Sequence, residues 1–210
     1  RITCVSTRTV VADPEANAAE VVKVLGEVPD SDVVVFPELG VTGYTCADLV
    51  GQSALLDAGA RALVAIAGAT RGPAQLVVVG LPVPVGNSLY NCGVAVADGA
   101  ILGVVPKQFI PNYKEFYESR WFSSANVREP KTIAFAGQEV AFGIDLLFAT
   151  GNGLVVGIEI CEDLWMPIPP SSVQAIAGAN VLLNRSASNE TIAKSTHRHD
   201  LVEGQAAARP

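Results

Sequence analysis

Positive charge is scarce in this 210-residue sequence: 14 Lys and Arg stand against 21 Asp and Glu, a net charge of −7. With a pI near 4.8, the chain lacks the basic footprint that binding to a phosphate backbone requires, which excludes a nucleic-acid-binding role. No apolar run reaches the length of about 20 residues needed for a membrane-spanning helix, because Gly, Pro or polar residues interrupt every one. No charged segment, apolar core and cleavage site open the chain, so a cytoplasmic protein is expected. Cys4, Cys46, Cys92 and Cys161 show neither C-x-x-C nor zinc-ligand spacing, and free thiols in a reducing compartment account for them. Repeats, low-complexity tracts and linkers are also missing. Half of the residues are apolar and 17% are charged, the balance of a globular chain rather than a disordered one. The length suits one sizeable core. The chain starts at Arg1, not Met, and stops at Arg209-Pro210 just after a helical segment. Neither end reads as a natural terminus, and a fragment of a longer protein is expected.

The periodicity predicts strands alternating with helices, plus hairpins, in a single domain over 1–210. Strands are expected at Ile2 to Ser6, Val33 to Phe36, Leu76 to Gly80, Leu154 to Ile160 and Val181 to Asn184. Hairpins are expected from Asn91 to Ala97 with Ile101 to Val105, turning at Asp98-Gly99, and from Thr132 to Phe135 with Glu139 to Phe142, turning at Gly137. Asp13-Pro14 opens a helix with Ala18, Val21, Val22 and Leu25 on its buried face. A second helix, Ser53 to Ala67, places Leu56, Ala60, Leu63 and Ala67 on one face. Pro170 to Ala177 and the polar segment Ile192 to Ala208 are also predicted to be helical. The fold class is α/β or α+β, a sandwich with helices on both outer faces.

Three reactive side chains stand at the ends of apolar strands. Glu38 follows Val33-Val34-Val35-Phe36-Pro37, Lys107 follows Ile101-Leu102-Gly103-Val104-Val105-Pro106, and Cys161 follows Leu154 to Ile160. A strand end is where a rigid scaffold holds a nucleophile best. A cysteine attacks as thiolate, a carboxylate beside it can take the proton, and an ammonium can lower the thiol pKa and hold an oxyanion. The backbone N–H of Glu162 is a candidate second oxyanion donor. Each residue also has a plain structural reading: Cys161 as a core cysteine, Glu38 and Lys107 as an ion pair. Cys4 and Cys92 fall within strand patterns and are expected in the core. His197 and His199 belong to a polar helical segment without further ligands nearby, so no metal site is expected.

Phe36-Pro37-Glu38, Pro106-Lys107 and Glu159-Ile160-Cys161-Glu162-Asp163 resemble, in this order, the three signature blocks of the nitrilase superfamily, the carbon–nitrogen hydrolases. The resemblance covers nearly the whole chain. It implies an α-β-β-α sandwich and amide hydrolysis through a thioester at Cys161, with Glu38 as general base and Lys107 as oxyanion stabiliser. Glu38-Leu39-Gly40-Val41-Thr42-Gly43-Tyr44, the run Lys107 to Glu118, Cys161-Glu162-Asp163-Leu164-Trp165 and Asn184-Arg185-Ser186-Ala187-Ser188 are similar to blocks of the glutaminase domains of glutamine-dependent NAD synthetases. That similarity implies a glutamine pocket lined by Tyr44, Tyr113, Phe116, Glu162 and Ser188. It also implies Glu118 as a second glutamate orienting Lys107, with Glu115 as a rival for that role.

Neither the S-G-G-x-D-S loop of the synthetase half nor a G-x-x-x-x-G-K-[ST] loop occurs in the sequence. The resemblance therefore implies only the amide-splitting half, truncated at its C-terminus and without a cofactor of its own. ATP and Mg would serve a synthetase domain absent from this chain, which would take the ammonia released from L-glutamine. A homo-oligomer is expected on the same ground. Two rivals remain at this stage: a stand-alone amidase or carbamoylase, and a catalytically idle interaction module.

Overall fold

The structure is a computed structural model that describes residues 1–72, 75–126 and 129–208. Arg209-Pro210 lie outside the described residues. The first half comprises β1 (Ile2–Cys4), α1 (Pro14–Glu27), β2 (Val33–Val35), α2 (Ser53–Ala69), β3 (Leu76–Val85), β4 (Ser88–Ala97) and β5 (Ala100–Pro106). The second half comprises β6 (Thr132–Phe135), β7 (Gln138–Ala141), β8 (Leu147–Ala149), β9 (Val155–Ile160), α3 (Pro170–Ile176), β10 (Val181–Arg185) and α4 (Lys194–Ala207).

Two sheets face each other. One has the order β1-β2-β3-β4-β5, the other β10-β9-β8, and β6-β7 form a separate hairpin. Val33, Val35, Val78 and Ala95 of the first sheet pack against Phe148, Val156, Ile158 and Leu183 of the second. The opposite face of the larger sheet is covered by α1 and α2 through Val21, Leu25, Leu63 and Ile66. On the other side α3 lies on β9, where Gln174 Nε2 donates to the Ile158 carbonyl at 2.8 Å. The layers are thus α-β-β-α, as the resemblance implies.

Local chemistry explains most elements. The Asp13 carboxylate accepts from Ala16 N at 3.0 Å and Pro14 takes the first helical position, so α1 begins where the sequence predicts. Val22 departs from the expected face and is 37% exposed; it lies one position beyond the stripe of Ala18, Val21 and Leu25. The buried face of α2 runs through Leu55, Ala62, Leu63, Ile66 and Ala67. Leu56 and Ala60 are only half-buried, because this helix is apolar on more than one side and α1 selects the face. The β4–β5 turn has Asp98 at φ 48° and Gly99 at φ 79°, the paired left-handed conformation of a tight hairpin.

β3 and β4 are longer than predicted, with pairing that continues to Val85 and Ser88 around Gly86-Asn87. Pro82 and Pro84 argue against a strand there. They are tolerated because β2 pairs only with Leu76 to Val78 and the turn after it reaches only the Gly80 carbonyl, through Val41 N–H at 3.0 Å, which leaves β3 beyond Gly80 without a strand partner on that side. Strand β8, three residues long, has no clear sequence signature.

The topology brings the strand ends together. β2 and β3 run parallel, whereas β3–β4 and β4–β5 are antiparallel. β5 therefore points the same way as β2, and Glu38 and Lys107 emerge at one edge of the sheet.

Candidate active site

Beyond β2 the chain turns tightly, with Gly40 N donating to the Pro37 carbonyl at 3.2 Å. This turn directs Glu38 inward, where it is 2% exposed. Lys107 leaves β5 beside Asn91 of β4, and its N–H donates to the Asn91 carbonyl at 2.8 Å. The Lys107 ammonium is fully buried and donates to Glu38 Oε1 at 2.8 Å and to both Glu118 oxygens at 2.9 Å. Asn91 Nδ2 also reaches Glu38 Oε1 at 2.8 Å and Glu118 Oε2 at 3.4 Å. The Tyr44 hydroxyl donates to Glu118 Oε1 at 2.7 Å, and Ala187 N–H donates to Glu38 Oε2 at 2.9 Å. Burial alone would lower the Lys107 pKa, but Glu38 and Glu118 outweigh it and hold the ammonium above its ordinary value. Burial and Glu38 raise the Glu118 carboxyl against the opposing pull of Lys107. Glu115, the rival for this position, is exposed at the rim and is bonded by Asn189 Nδ2.

Cys161 opens a single tight helical turn, Cys161–Trp165, and stands at φ 48°. Such a left-handed conformation is uncommon in a residue other than glycine. Here it swings the thiol off the line of β9. The sulfur accepts a bond from the Ser186 hydroxyl at 3.3 Å, and the Cys161 carbonyl accepts one from Asn184 Nδ2 at 3.2 Å. Burial, then Glu38, push the thiol up to about 12, while Lys107 and Ser186 pull the other way. The expectation that lysine lowers the thiol pKa holds for its own contribution but not for the sum. At that value the neutral thiol is favoured over the thiolate near neutral pH. Ultraviolet difference spectra at neutral pH are expected to show no thiolate that Cys161→Ala removes; such a signal would contradict the thiol resting state.

Asp163 ties the turn that carries Cys161 to the loop that follows Lys107. It accepts from Ile160 N at 2.9 Å, Gln108 N at 3.1 Å and Phe109 N at 2.8 Å. Burial pushes its carboxyl up to about 7 against these donors. Asp163→Asn would keep one acceptor oxygen but turn an NH2 toward a backbone N–H. A loss of about 1–3 kcal/mol is expected for such an unsatisfied buried donor. An unchanged denaturant midpoint would show that the three bonds do not hold the turn.

A cleft of about 510 Å³ opens over Cys161, with Tyr113, Phe116, Glu162, Ser188, Lys194 and His197 among its lining. The Tyr113 hydroxyl donates to the Glu162 carboxylate at 2.9 and 3.0 Å. Lys194 Nζ reaches Ser188 Oγ at 2.5 Å and stands 5.9 Å above the Phe116 ring. Tyr44 and Glu118 instead line a neighbouring cleft of about 310 Å³, which shares Glu115, Phe116 and Asn189 with the first. Sequence reasoning missed Asn91, Ser186 and Lys194. Only Asn91 carries a signal, as a polar residue in an apolar strand that a hairpin register places beside Lys107.

All four cysteines are free. Cys92 and Cys46 are buried, whereas Cys4, expected in the core, is exposed on the edge strand β1. His197 faces Trp165 with ring centroids 5.4 Å apart. Among the described residues no group of three or more His, Cys, Asp or Glu could hold a metal ion, and no helix is long and apolar enough to cross a membrane.

Comparison with known proteins agrees with the fold. The sequence pattern described as carbon-nitrogen hydrolase matches residues 1–209. The glutamine-dependent NAD(+) synthetase of Mycobacterium tuberculosis is 40% identical over 211 residues, covering 99% of this chain and 31% of that protein. The chain thus spans about a third of the length of the curated relatives it matches. The crystal structure of a glutamine-dependent NAD(+) synthetase from Cytophaga hutchinsonii superimposes with a TM-score of 0.85 at 29% identity, over 97% of this chain and 33% of that one. An amidase from Nesterenkonia sp. shares the fold, with a TM-score of 0.73 at 18% identity over 97% of this chain and 70% of that one.

Proposed function

The chain belongs to the carbon–nitrogen hydrolase family, and on that footing we propose that it splits the side-chain amide of L-glutamine and passes the ammonia to a synthetase domain. The observation that carries the reading is the buried cluster of Lys107 with Glu38 and Glu118, in electrostatic contact with the Cys161 thiol. As the sulfur attacks the amide carbon, Glu38 takes the thiol proton. The carbonyl oxygen becomes an oxyanion held by the Lys107 ammonium and the Glu162 N–H. Glu38 then returns the proton to the departing nitrogen, which leaves as ammonia, and a thioester remains on Cys161. Glu38 next takes a proton from water, whose oxygen attacks the thioester carbon. Collapse releases glutamate and restores the thiol.

Glu118 holds Lys107, and Tyr44 holds Glu118. The pair Tyr113 and Glu162 presents hydroxyl and carboxylate oxygens to the substrate's ammonium end, with Phe116 and Ser188 along the cleft wall. ATP and Mg belong to the synthetase half of a longer chain; the relatives named glutamine-dependent NAD(+) synthetases support that arrangement. The reading includes a cytoplasmic protein, supported by four free thiols. It also includes a homo-oligomer, supported by Ile168, Val173 and Ile176 exposed in and beside α3.

The test compares glutamate release from L-glutamine with hydrolysis of propionamide. Preference for glutamine, and faster release once ATP and the deamido acceptor are present in the longer protein, is expected. Preference for the simple amide and no response to the acceptor would move the chain to the stand-alone amidases.

A further inference from the structure

Arg185, the last residue of β10, is the largest fully buried side chain among the described residues. Its guanidinium lies between the sheets over Gly80 and Gly93, which face each other in the β3–β4 register. A Cβ on Gly93 would stand 3.0 Å from Arg185 Nη1 and 3.0 Å from Ile158 Cγ2. A Cβ on Gly80 would collide with Nη2. Two paired glycines thus make room for one cation. Burying a guanidinium is costly unless the charge has a partner or a task. Its hydrogen bonds run to neutral groups, from Nε to the Phe36 carbonyl at 2.9 Å and from Nη2 to the Pro37 carbonyl at 2.5 Å. Among the described residues Nη1 has no hydrogen-bond partner. An apolar side chain would fill the same space at lower cost.

The two gripped carbonyls immediately precede Glu38. One residue beyond Arg185, the Ser186 hydroxyl bonds the Cys161 sulfur, and one further, Ala187 N–H bonds Glu38 Oε2. The run Arg185-Ser186-Ala187 therefore holds both the base and the nucleophile. We propose that Arg185 is a positioning residue for Glu38, gripping the turn that carries it and standing behind its carboxylate as a buried cation. Among the described residues, Glu38 interacts with the carboxylate of Glu118, the cations Lys107 and Arg185, and the neutral groups Cys161 and Tyr44. Burial lowers the Arg185 pKa to about 10, with Glu38 the main opposing influence, so the guanidinium stays charged at neutral pH. The proposal rests on Glu38 serving Cys161 as base but not on glutamine being the substrate.

The test uses alkylation of Cys161 by iodoacetamide, followed across pH by peptide mass mapping, with a denaturant midpoint for each variant. It requires no substrate. Arg185→Met is expected to slow alkylation about tenfold or more and to move its acid limb to higher pH, because the carboxylate loses its cation. Arg185→Lys keeps the charge and loses the two-pronged grip, so its rate should fall less and its acid limb should stay. A merely structural role would lower the midpoint without moving the acid limb. Parental rate and acid limb in Arg185→Met would overturn the proposal. If Arg185→Met does not fold, Arg185→Lys and Gly93→Ala decide, since the latter keeps the cation and pushes it from its seat. Parental rates in both would overturn it. A rate that Glu38→Gln leaves unchanged would remove the base itself and the proposal with it, whereas slow glutamine turnover beside normal alkylation would touch only the substrate.

Discussion

Cys161→Ala is expected to reduce amide hydrolysis below about a thousandth of the parent rate. Cys4→Ala, Cys46→Ala and Cys92→Ala should keep most of it. The four thiols differ in surroundings rather than chemistry. Cys4 is exposed on an edge strand, Cys46 donates to the Thr42 carbonyl at 3.0 Å, and Cys92 is sealed in the core. Only Cys161 has a buried carboxylate and a buried ammonium in electrostatic contact with it. On the proposed thioester route, removing this thiol removes the pathway and not merely a contact. The core variant Cys92→Ala should lose stability, by about 1 kcal/mol for the lost packing, without losing rate per folded molecule. Steady-state assays on folded samples decide this. Residual hydrolysis well above a thousandth in Cys161→Ala would exclude the thioester route.

Lys107→Met is expected to abolish activity and to cost about 3–5 kcal/mol of stability, the usual result of stranding one side of a buried ion pair. Here the stranded side is double, since Glu38 and Glu118 both lose their shared cation. The effect has a pH signature. Glu118 already sits above the ordinary carboxyl value of 4.5, through burial and Glu38, and Lys107 restrains that rise. Without the lysine the folded-state pKa climbs further. A group raised in the folded state contributes stability that is present below its unfolded pKa and lost as pH rises through the folded value. The deficit of Lys107→Met should therefore be largest at neutral pH and shrink on acidification toward 4.5. Lys107→Arg keeps the charge, but a planar fork cannot reproduce three bonds that converge on one nitrogen at 2.8 and 2.9 Å. It too should be inactive, with a smaller loss of stability. A deficit that does not vary with pH, or a working Lys107→Arg, would contradict this role.

The three strand ends were legible because a short Val- and Ile-rich run that breaks into an acid, a lysine or a cysteine is conspicuous in any chain. The Asp98-Gly99 hairpin and the Asp13-Pro14 helix start were legible for a similar reason, since their residue types answer a local backbone requirement. What stayed hidden depends on contacts across the fold. Pro82 and Pro84 spoke against a strand that an open edge permits. The choice between Glu115 and Glu118 turned on which way a long loop folds, and Glu118 points inward to Lys107. Lys194 enters the cleft rim from a helix with no buried residue. Arg185 lay inside a recognised block, yet its burial depends on two glycines roughly a hundred positions away in sequence. The pocket residues Tyr44 and Tyr113, read as neighbours of one substrate, line separate clefts joined at Phe116.

The most direct measurement is peptide mass mapping after exposure to a diazo-ketone analogue of glutamine, an electrophile shaped for the cleft over Cys161. A single adduct on the Cys161 peptide is expected, formed much more slowly in Glu38→Gln and suppressed by excess glutamine. Adducts on Cys4 or Cys46 instead, or labelling of Cys161 that neither Glu38→Gln nor glutamine affects, would contradict a base-assisted nucleophile in a glutamine site.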